Sequence, residues 1–287
     1  MSDDRIVGRL FVVGTPIGNL DDLTDRARET LRAVAVCYAE DTRRTGRLLA
    51  RIGVDVVLRS LHAHNEESRL SEIMERLGRA EDVALVSDAG TPTVSDPGAR
   101  VVAAVLEAGG RVSPVPGPSA VSAALSVSGL PGDRCYFAGF GPRRSGERDE
   151  WLEEVARSRV TVVMFEAPGR LGRLLAHLAE RGAGDRRAVV CRELTKLHEE
   201  VAAGTIADLA TVYDGERVKG EVTLVMEGAP PTSGRADDEA VRVALAELAA
   251  SGAPRSRIAR ELRDRFGLAR NEAYRLSHEE SGEPSGD

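Results

Sequence analysis

Aromatic residues make up only 3% of this 287-residue chain, and lysine is scarcer still: Lys196 and Lys219 are the two lysines among 39 basic residues. Three cysteines, Cys37, Cys135 and Cys191, lie far apart with no CxxC spacing. That excludes a disulfide framework and argues against a structural zinc site. No apolar run approaches the roughly 18 residues of a membrane span. The opening MSDDRIVGRL lacks the basic start and small-residue cleavage site of a secretory leader. A reducing cytoplasm is therefore the expected compartment. Surplus positive charge is missing too: 46 acids against 39 bases give a net charge of −7. This excludes coating of nucleic acid by bulk charge and leaves only a local basic surface for such a partner. Neither GxSxG nor GxxxxGK[ST] occurs, nor GxGxxG. A hydrolase elbow, a phosphate-binding P-loop and the usual dinucleotide fingerprint are excluded with them.

What is present is a chain with 42% hydrophobic and 30% charged residues, long enough for one large core or two moderate ones. Its first half repeats a unit of short apolar strand, Gly/Pro-rich turn and amphipathic helix. LFVVG (10–14) runs into TPIGNLDDLT and a helix over 25–33, and VAVCYA (34–39) runs into EDTRRT and a helix through Ala50. VDVVLRS, DVALVSD and RVSPV are further strands with helical periodicity between them, which predicts a mostly parallel sheet covered on both faces. The segment PVPGPSAVSAALSVSGLPGD (114–133) breaks the pattern, with a helix opening at Pro118 and Ser119 and closing at Gly129. A second α/β part follows, with strands at RCYFAGF, TVVMFE, RAVVCRE and GEVTLVME, helices near 149–157 and 170–181, and spacing too irregular for a purely parallel sheet. After the polar linker APPTSGRADDE come helical patterns over 238–250, 256–266 and 269–277, with Ser256 as an N-cap. From Ser251 to His278 this segment carries seven arginines against three acids. It reads either as a small helix-turn-helix unit or as a solvated packing appendage. The tail EESGEPSGD is expected to be disordered.

Chemistry is expected where strands end. TPIGN (15–19), SDAGTP (87–92) and PGPSA (116–120) follow predicted parallel strands, where helix N-termini and loop amides collect ligands; the alternative is a set of rigid turns. The acidic candidates are Glu40, Asp41, Asp88, Asp96, Glu166 and Glu193. Asp96, before Pro97 and a helical run, reads as a helix cap, and Asp88 equally as a cap or turn residue and as a ligand contact. Arg43 and Arg44 pair with Glu40 or Asp41 or face a phosphate; Arg143, Arg144 and Arg148 form either a basic rim or solvated surface. Lys196 and Lys219 stand out because a desolvated lysine can shed its proton and an arginine cannot. His62, His64 and Glu66 imitate a metal cluster, since positions 62 and 64 share a face on a strand, yet no third ligand is evident.

These loops resemble the tetrapyrrole methylase superfamily, and most closely its ribosomal RNA branch, small-subunit ribosomal RNA methyltransferase I. The resemblance is carried by VVGTPIGNLDDLTDRA (12–27), AEDTRRTGRLL (39–49), LHAHNE (61–66), ALVSDAGTPTVSDPG (84–98), PVPGPSA (114–120), SGLP (128–131), RELTK (192–196) and KGE (219–221), with a weaker echo in GLARNEAY (267–274). It implies two α/β domains, over 1–117 and 118–229, with S-adenosyl-L-methionine in the cleft between them and a helical appendage over 236–278. The donor would be lined by Thr15, Pro16, Gly18 and Asn19, by Asp88, Ala89, Gly90, Thr91 and Pro92, by Ser119 and Ala120, and by Phe165 and Leu194. The implied reaction methylates the 2'-hydroxyl of a cytidine in 16S ribosomal RNA at the decoding centre. Lys196, Glu40 or Asp41 would orient or deprotonate that hydroxyl, and Arg43, Arg143 and Arg144 would hold RNA phosphates. The resemblance further implies a homodimer acting on the small ribosomal subunit in the cytoplasm, with no metal, membrane or DNA. Two rival activities are a carbon methylase acting on a tetrapyrrole and a non-catalytic ribosome-assembly protein. The chain departs from the family at Gly169, where histidine is usual, and at Gly141, where leucine is usual. No role of that histidine carries over.

Overall fold

The structure is a computed structural model that describes residues 7–230, 238–266, 268 and 270–279. The first residues, most of the polar linker, Gly267 and the tail expected to be disordered lie outside the described residues. In the first half, β1 (Arg9–Val13), β2 (Val36–Ala39), β3 (Val57–Ser60), β4 (Val83–Val86) and β5 (Arg111–Val115) alternate with α1 (Asp25–Ala33), α2 (Thr42–Ile52), α3 (Glu66–Gly78) and α4 (Ala99–Glu107). The strands form one all-parallel sheet in the order β3-β2-β4-β1-β5. Central β2 and β4 are buried along their whole length, whereas the edge strand β3 alternates. This is the burial a parallel sheet needs when helices cover both faces. Alternation sorts the side chains: Leu10, Val36, Tyr38, Val83 and Leu85 enter one apolar cluster. Val13, Cys37, Ala39, Ala84 and Val86 enter the other.

α5 (Ala120–Ser128) starts after Ser119 and ends on Gly129 at φ 64°, and leads into the second sheet. That sheet has the order β6-β7-β10-β8-β9, from β6 (Cys135–Phe140), β7 (Thr161–Glu166), β8 (Arg187–Arg192), β9 (Glu200–Thr205) and β10 (Val222–Met226). Only β6 and β7 are parallel, so the sheet is mixed as its irregular spacing suggested. α6 (Ser145–Arg157), α7 (Leu171–Leu178) and α8 (Ile206–Val212) pack on one face over Val162, Met164, Val190 and Leu224. α5 covers the other face, where Ala124 meets Val163, Val189, Cys191 and Val225. β9 was not foreseen in the sequence. Its EVAAGT is poor in β-branched and aromatic residues and half-exposed at the sheet edge, so the pattern there is weak.

These two sheets with their helices form one compact unit, and the C-terminal helices, with Arg157–Arg159, form another. In the latter, α9 (Asp238–Ala250), α10 (Arg255–Phe266) and α11 (Arg270–Glu279) enclose a core of Val241, Leu245, Ile258, Leu262, Leu268 and Ala273. Ser256 is not the cap expected of it. α10 begins one residue earlier, and the carbonyl of Pro254 accepts from the amides of Arg257 and Ile258. Nor do His62 and His64 lie on a strand, since they sit in the turn before α3. Among the described residues there is no group of three or more potential metal ligands and no helix long and apolar enough to cross a membrane. All three cysteines are free.

Candidate active site

The loops singled out in the sequence are tied to one another by backbone. Thr15 and Gly90 exchange both amide–carbonyl bonds, at 2.9 and 3.0 Å, so TPIGN and SDAGTP form a small bridge beyond the strand ends. Gly90 turns the chain there at φ 78°. Gly14 and Gly117 touch so closely that a Cβ on Gly14 would lie 2.8 Å from the Cα of Gly117, which fixes PGPSA against TPIGN. Asp41 accepts from the amides of Arg43 and Arg44 as the N-cap of α2, while its own amide donates to Asp88 at 3.0 Å. Thr93 and Ser95 also hold positive φ, at 73° and 65°, beside the same loops. Such strain in non-glycine residues persists only where neighbours enforce it and gathers at functional sites.

These contacts frame a cavity of about 360 Å³ walled by both α/β halves. One wall is apolar, with Ile17, Val94, Val121, Val222 and the rings of Phe140 and Phe165, which lie 5.2 Å apart. The other is acidic, with Glu40, Asp88 and Asp96. Burial, and next the Asp88 carboxylate, hold Glu40 above the usual carboxylate range. Asp96 is pushed up to about 6 by burial and then by Glu40, with a Ser87 hydrogen bond opposing. Asp96 is therefore not the helix cap its sequence position suggested. α4 starts only after Gly98, and Gly98, at φ 116°, occupies the cap position. Like charges crowded into one partly buried wall raise one another's proton affinity, which suits a group that must take up a proton near neutral pH.

The RELTK and KGE segments interlock beside this cavity. Glu193 accepts from the Lys196 ammonium at 2.7 Å and from the amide of Glu221 at 2.9 Å, and Glu221 adds a second carboxylate to Lys196 at 3.1 Å. Gly220 is required there, since a Cβ would strike the Glu193 side chain and its φ is 89°. Burial disfavours the lysine's charge, but the two carboxylates outweigh it and raise its pKa. An ammonium held in this way has no lone pair to offer as a base. Across the loops, the Thr195 hydroxyl accepts from the amide of Asn19 at 3.0 Å, and Gly18 leaves room for the Lys196 stem. Lys196 thus joins the first half to the second. Lys219 is exposed, and its carbonyl accepts from Arg192.

Glu166, which lines the cavity, is wholly buried and is held by Arg148 at 2.9 Å and by Arg170. Arg148 is thus a half-buried ion-pair partner of Glu166 rather than part of a basic rim. Gly141 makes room for it, because a Cβ there would lie 2.8 Å from its guanidinium and 3.1 Å from Trp151. A Cβ on Gly169 would meet nothing.

Of the residues proposed from the sequence, Glu40, Asp88, Ala89, Gly90, Thr91, Ser119, Ala120 and Phe165 line the cavity together. Thr15, Pro16, Gly18 and Lys196 line an adjoining groove, which shares Ile17, Arg44 and Asp88 with the cavity. Asn19 caps a short helical turn, Pro92 is buried, and Leu194 packs on the cluster around Ala124. Asp41 is occupied as a cap and held below its ordinary pKa, chiefly by the amide of Arg43. Arg43, Arg143 and Arg144 are exposed, with Arg43 3.6 Å from Asp41 and Arg144 3.2 Å from Glu147. The sequence reading missed Val94, Ser95, Val121, Phe140 and the 220–223 segment as cavity walls. Val94 and Ser95 lie within the string over 84–98 and residues 220–221 within KGE, whereas Val121, Phe140, Val222 and Thr223 carry no local mark and reach the site through the packing of the two sheets.

A model of the family described as Tetrapyrrole (Corrin/Porphyrin) Methylases matches residues 9–210. The chain is 47% identical over 238 residues to ribosomal RNA small subunit methyltransferase I of Xylella fastidiosa, covering 82% of this chain and 85% of that one. It is 41% identical over 274 residues to the protein of that name from Synechocystis, covering 95% and 98%. The chain therefore belongs to the tetrapyrrole methylase family, in its ribosomal RNA small subunit methyltransferase I branch. Among solved structures, uroporphyrin-III-C-methyltransferase of Thermus thermophilus superimposes with a TM-score of 0.56 at 23% identity, covering 77% of this chain and 94% of that one. Diphthine synthase does so with 0.57 at 20%, covering 76% and 89%. These two likenesses concern the fold.

Family membership implies S-adenosyl-L-methionine, and the cavity's chemistry fits it. Apolar and aromatic walls suit an adenosine ring, while carboxylates and aromatic faces suit a sulfonium cation. Its volume lies in the range of small-molecule sites.

Proposed function

We propose that this protein transfers a methyl group from S-adenosyl-L-methionine to the 2'-hydroxyl of a cytidine in 16S ribosomal RNA of the small subunit, near the decoding centre. The observation that carries this reading is identity of 41% over 95% of the chain with a relative named as a ribosomal RNA small subunit methyltransferase. In this reading the enzyme works in the cytoplasm as a homodimer, with domains over 1–117 and 118–229, and residues 236–278 assist RNA binding. The donor occupies the cleft between the two α/β domains, held by Asp88–Thr91, Ser119, Ala120 and Phe165, with Pro92 behind that turn and the Thr15–Asn19 loop at its edge.

When bound, the donor supplies an electrophilic methyl on sulfur and leaves as a neutral thioether. The protein aligns the ribose oxygen with the C–S bond and takes its proton, since a ribose hydroxyl is poorly acidic. Lys196, Glu40 and Asp41 are the candidates for that proton. Asp41 is occupied as a cap, and Lys196 is held as an ammonium, which positions the loops. Glu40 keeps the raised affinity the task needs, and Asp96 joins it. With the donor bound, this carboxylate pair would take the hydroxyl proton as the oxygen accepts the methyl group, the thioether being the leaving group.

Purified protein is incubated with tritiated donor and either small subunits or naked ribosomal RNA from cells lacking the gene, and the label is mapped. Label on a single cytidine 2'-oxygen is expected. Donor binding without label on either substrate would move the activity to another acceptor, and failure to bind the donor would leave an assembly factor.

A further inference from the structure

We infer that the arginine face of α2 is the track that holds the RNA strand flanking the methylated nucleotide, with Arg44, Arg47 and Arg51 on its phosphates. The inference rests on the RNA-methylating reading above and specifies where that substrate lies. Positions 44, 47 and 51 are spaced i, i+3 and i+7, so they share one helix face and extend along about 10.5 Å of axis. With Thr15–Gly18, Ser87 and Lys196 they line a groove of about 370 Å³ that opens beside the acidic cavity and shares Ile17, Arg44 and Asp88 with it. A strand lying there would deliver its next ribose to the Glu40–Asp96 wall.

Arg47 and Arg51 combine a place in this groove with guanidiniums left open to an incoming anion. Arg69, Arg76, Arg79, Arg181, Arg187 and Arg192 each meet a carboxylate. Arg47 and Arg51 are exposed and have no carboxylate of the described residues within 4.0 Å. Arg44 lies 3.9 Å from Asp88 and links the groove to the cavity. In a chain of net charge −7, two unneutralised guanidiniums in line with Arg44 make the kind of local basic surface a polyanion requires. Guanidinium forks suit phosphate oxygens, and cations set in a row fit a chain of phosphates better than one anion. Arg43 and Arg144 are not among the residues that line the groove, and each stands beside a carboxylate.

The test compares wild type with Arg47→Gln/Arg51→Gln and with Arg47→Lys/Arg51→Lys, measuring donor affinity by calorimetry, methyl transfer to small subunits, and the salt dependence of RNA binding. Both positions are exposed on a helix and the substitutes are good helix formers, so folding is retained. For the Gln pair, KM for the RNA substrate is expected to rise at least about 10-fold with donor affinity within twofold of wild type. The slope of log K against log salt should become shallower by about 1.4, the loss of two single-strand phosphate contacts. The Lys pair should recover most of the loss. An active wild type with unchanged KM and salt slope in the Gln pair would overturn the track alone. A wild type that binds donor but methylates no RNA would overturn the reading beneath it, and the track with it.

Discussion

Asp96 has a pKa in the folded protein near 6, above its ordinary 3.8, because burial and the neighbouring Glu40 disfavour its charge. The folded state therefore binds this proton more tightly than the unfolded chain, and stability falls as pH rises from about 4 to about 6. Removing the charge with Asp96→Asn should raise Tm at pH 8 by a few degrees, at about 2–4 °C per kcal/mol for a protein of this size, and the gain should vanish near pH 4. Turnover should move the other way. With the carboxylate as base, wild-type kcat/KM climbs as pH passes through about 6, whereas Asp96→Asn loses that step and about 10² or more in rate. Equal pH profiles for the two proteins would remove Asp96 from the proton path. The sequence pointed to a cap here for a sound local reason, an acid before Pro97 and a helix. Only the turn at Gly98, which delays the helix by two residues, aims this side chain at the cavity. Lys196 shows the converse: its rarity draws attention to it in the sequence, but the carboxylates of Glu193 and Glu221 hold it in the structure.

Among the elements, the end of β7 and the start of α6 are joined by charge. Glu166 is buried with Arg148 and Arg170 on its two oxygens, and Arg148 also donates to the carbonyl of Pro142. Glu166→Ala would leave two guanidiniums without their counter-charge at the cavity wall and should cost about 3–5 kcal/mol in urea unfolding. A loss below about 1 kcal/mol would mean that water replaces the carboxylate. The departure at Gly141 belongs to this arrangement, since the guanidinium fills the volume a larger side chain would take. Helix and strand positions in the first half follow from hydrophobic period and turn residues, and β1 to β5 stand where alternation and Gly/Pro punctuation put them. β9 was hidden because an edge strand of Glu, Val, Ala and Gly carries little of that signal and is ordered by pairing with β8.

On the scale of the whole molecule, the C-terminal helices have a core of their own and the two α/β sheets have theirs. A chain ending before residue 236 should therefore keep donor affinity within about twofold while losing about tenfold or more in RNA binding at physiological salt, as measured by calorimetry and filter binding. Equal losses of both would contradict an RNA role for this segment. The sequence by itself determined the two α/β halves, the loops at the strand ends and the family, because these depend on local period, on glycines that permit close turns and on short strings of neighbouring residues. Only the tertiary structure decided which acids face one another, that Lys196 is a clamped ammonium, and that Arg44, Arg47 and Arg51 line one groove beside the cavity. Those properties depend on distances between residues far apart in the chain, and proton affinity and charge pairing change steeply over a few ångströms.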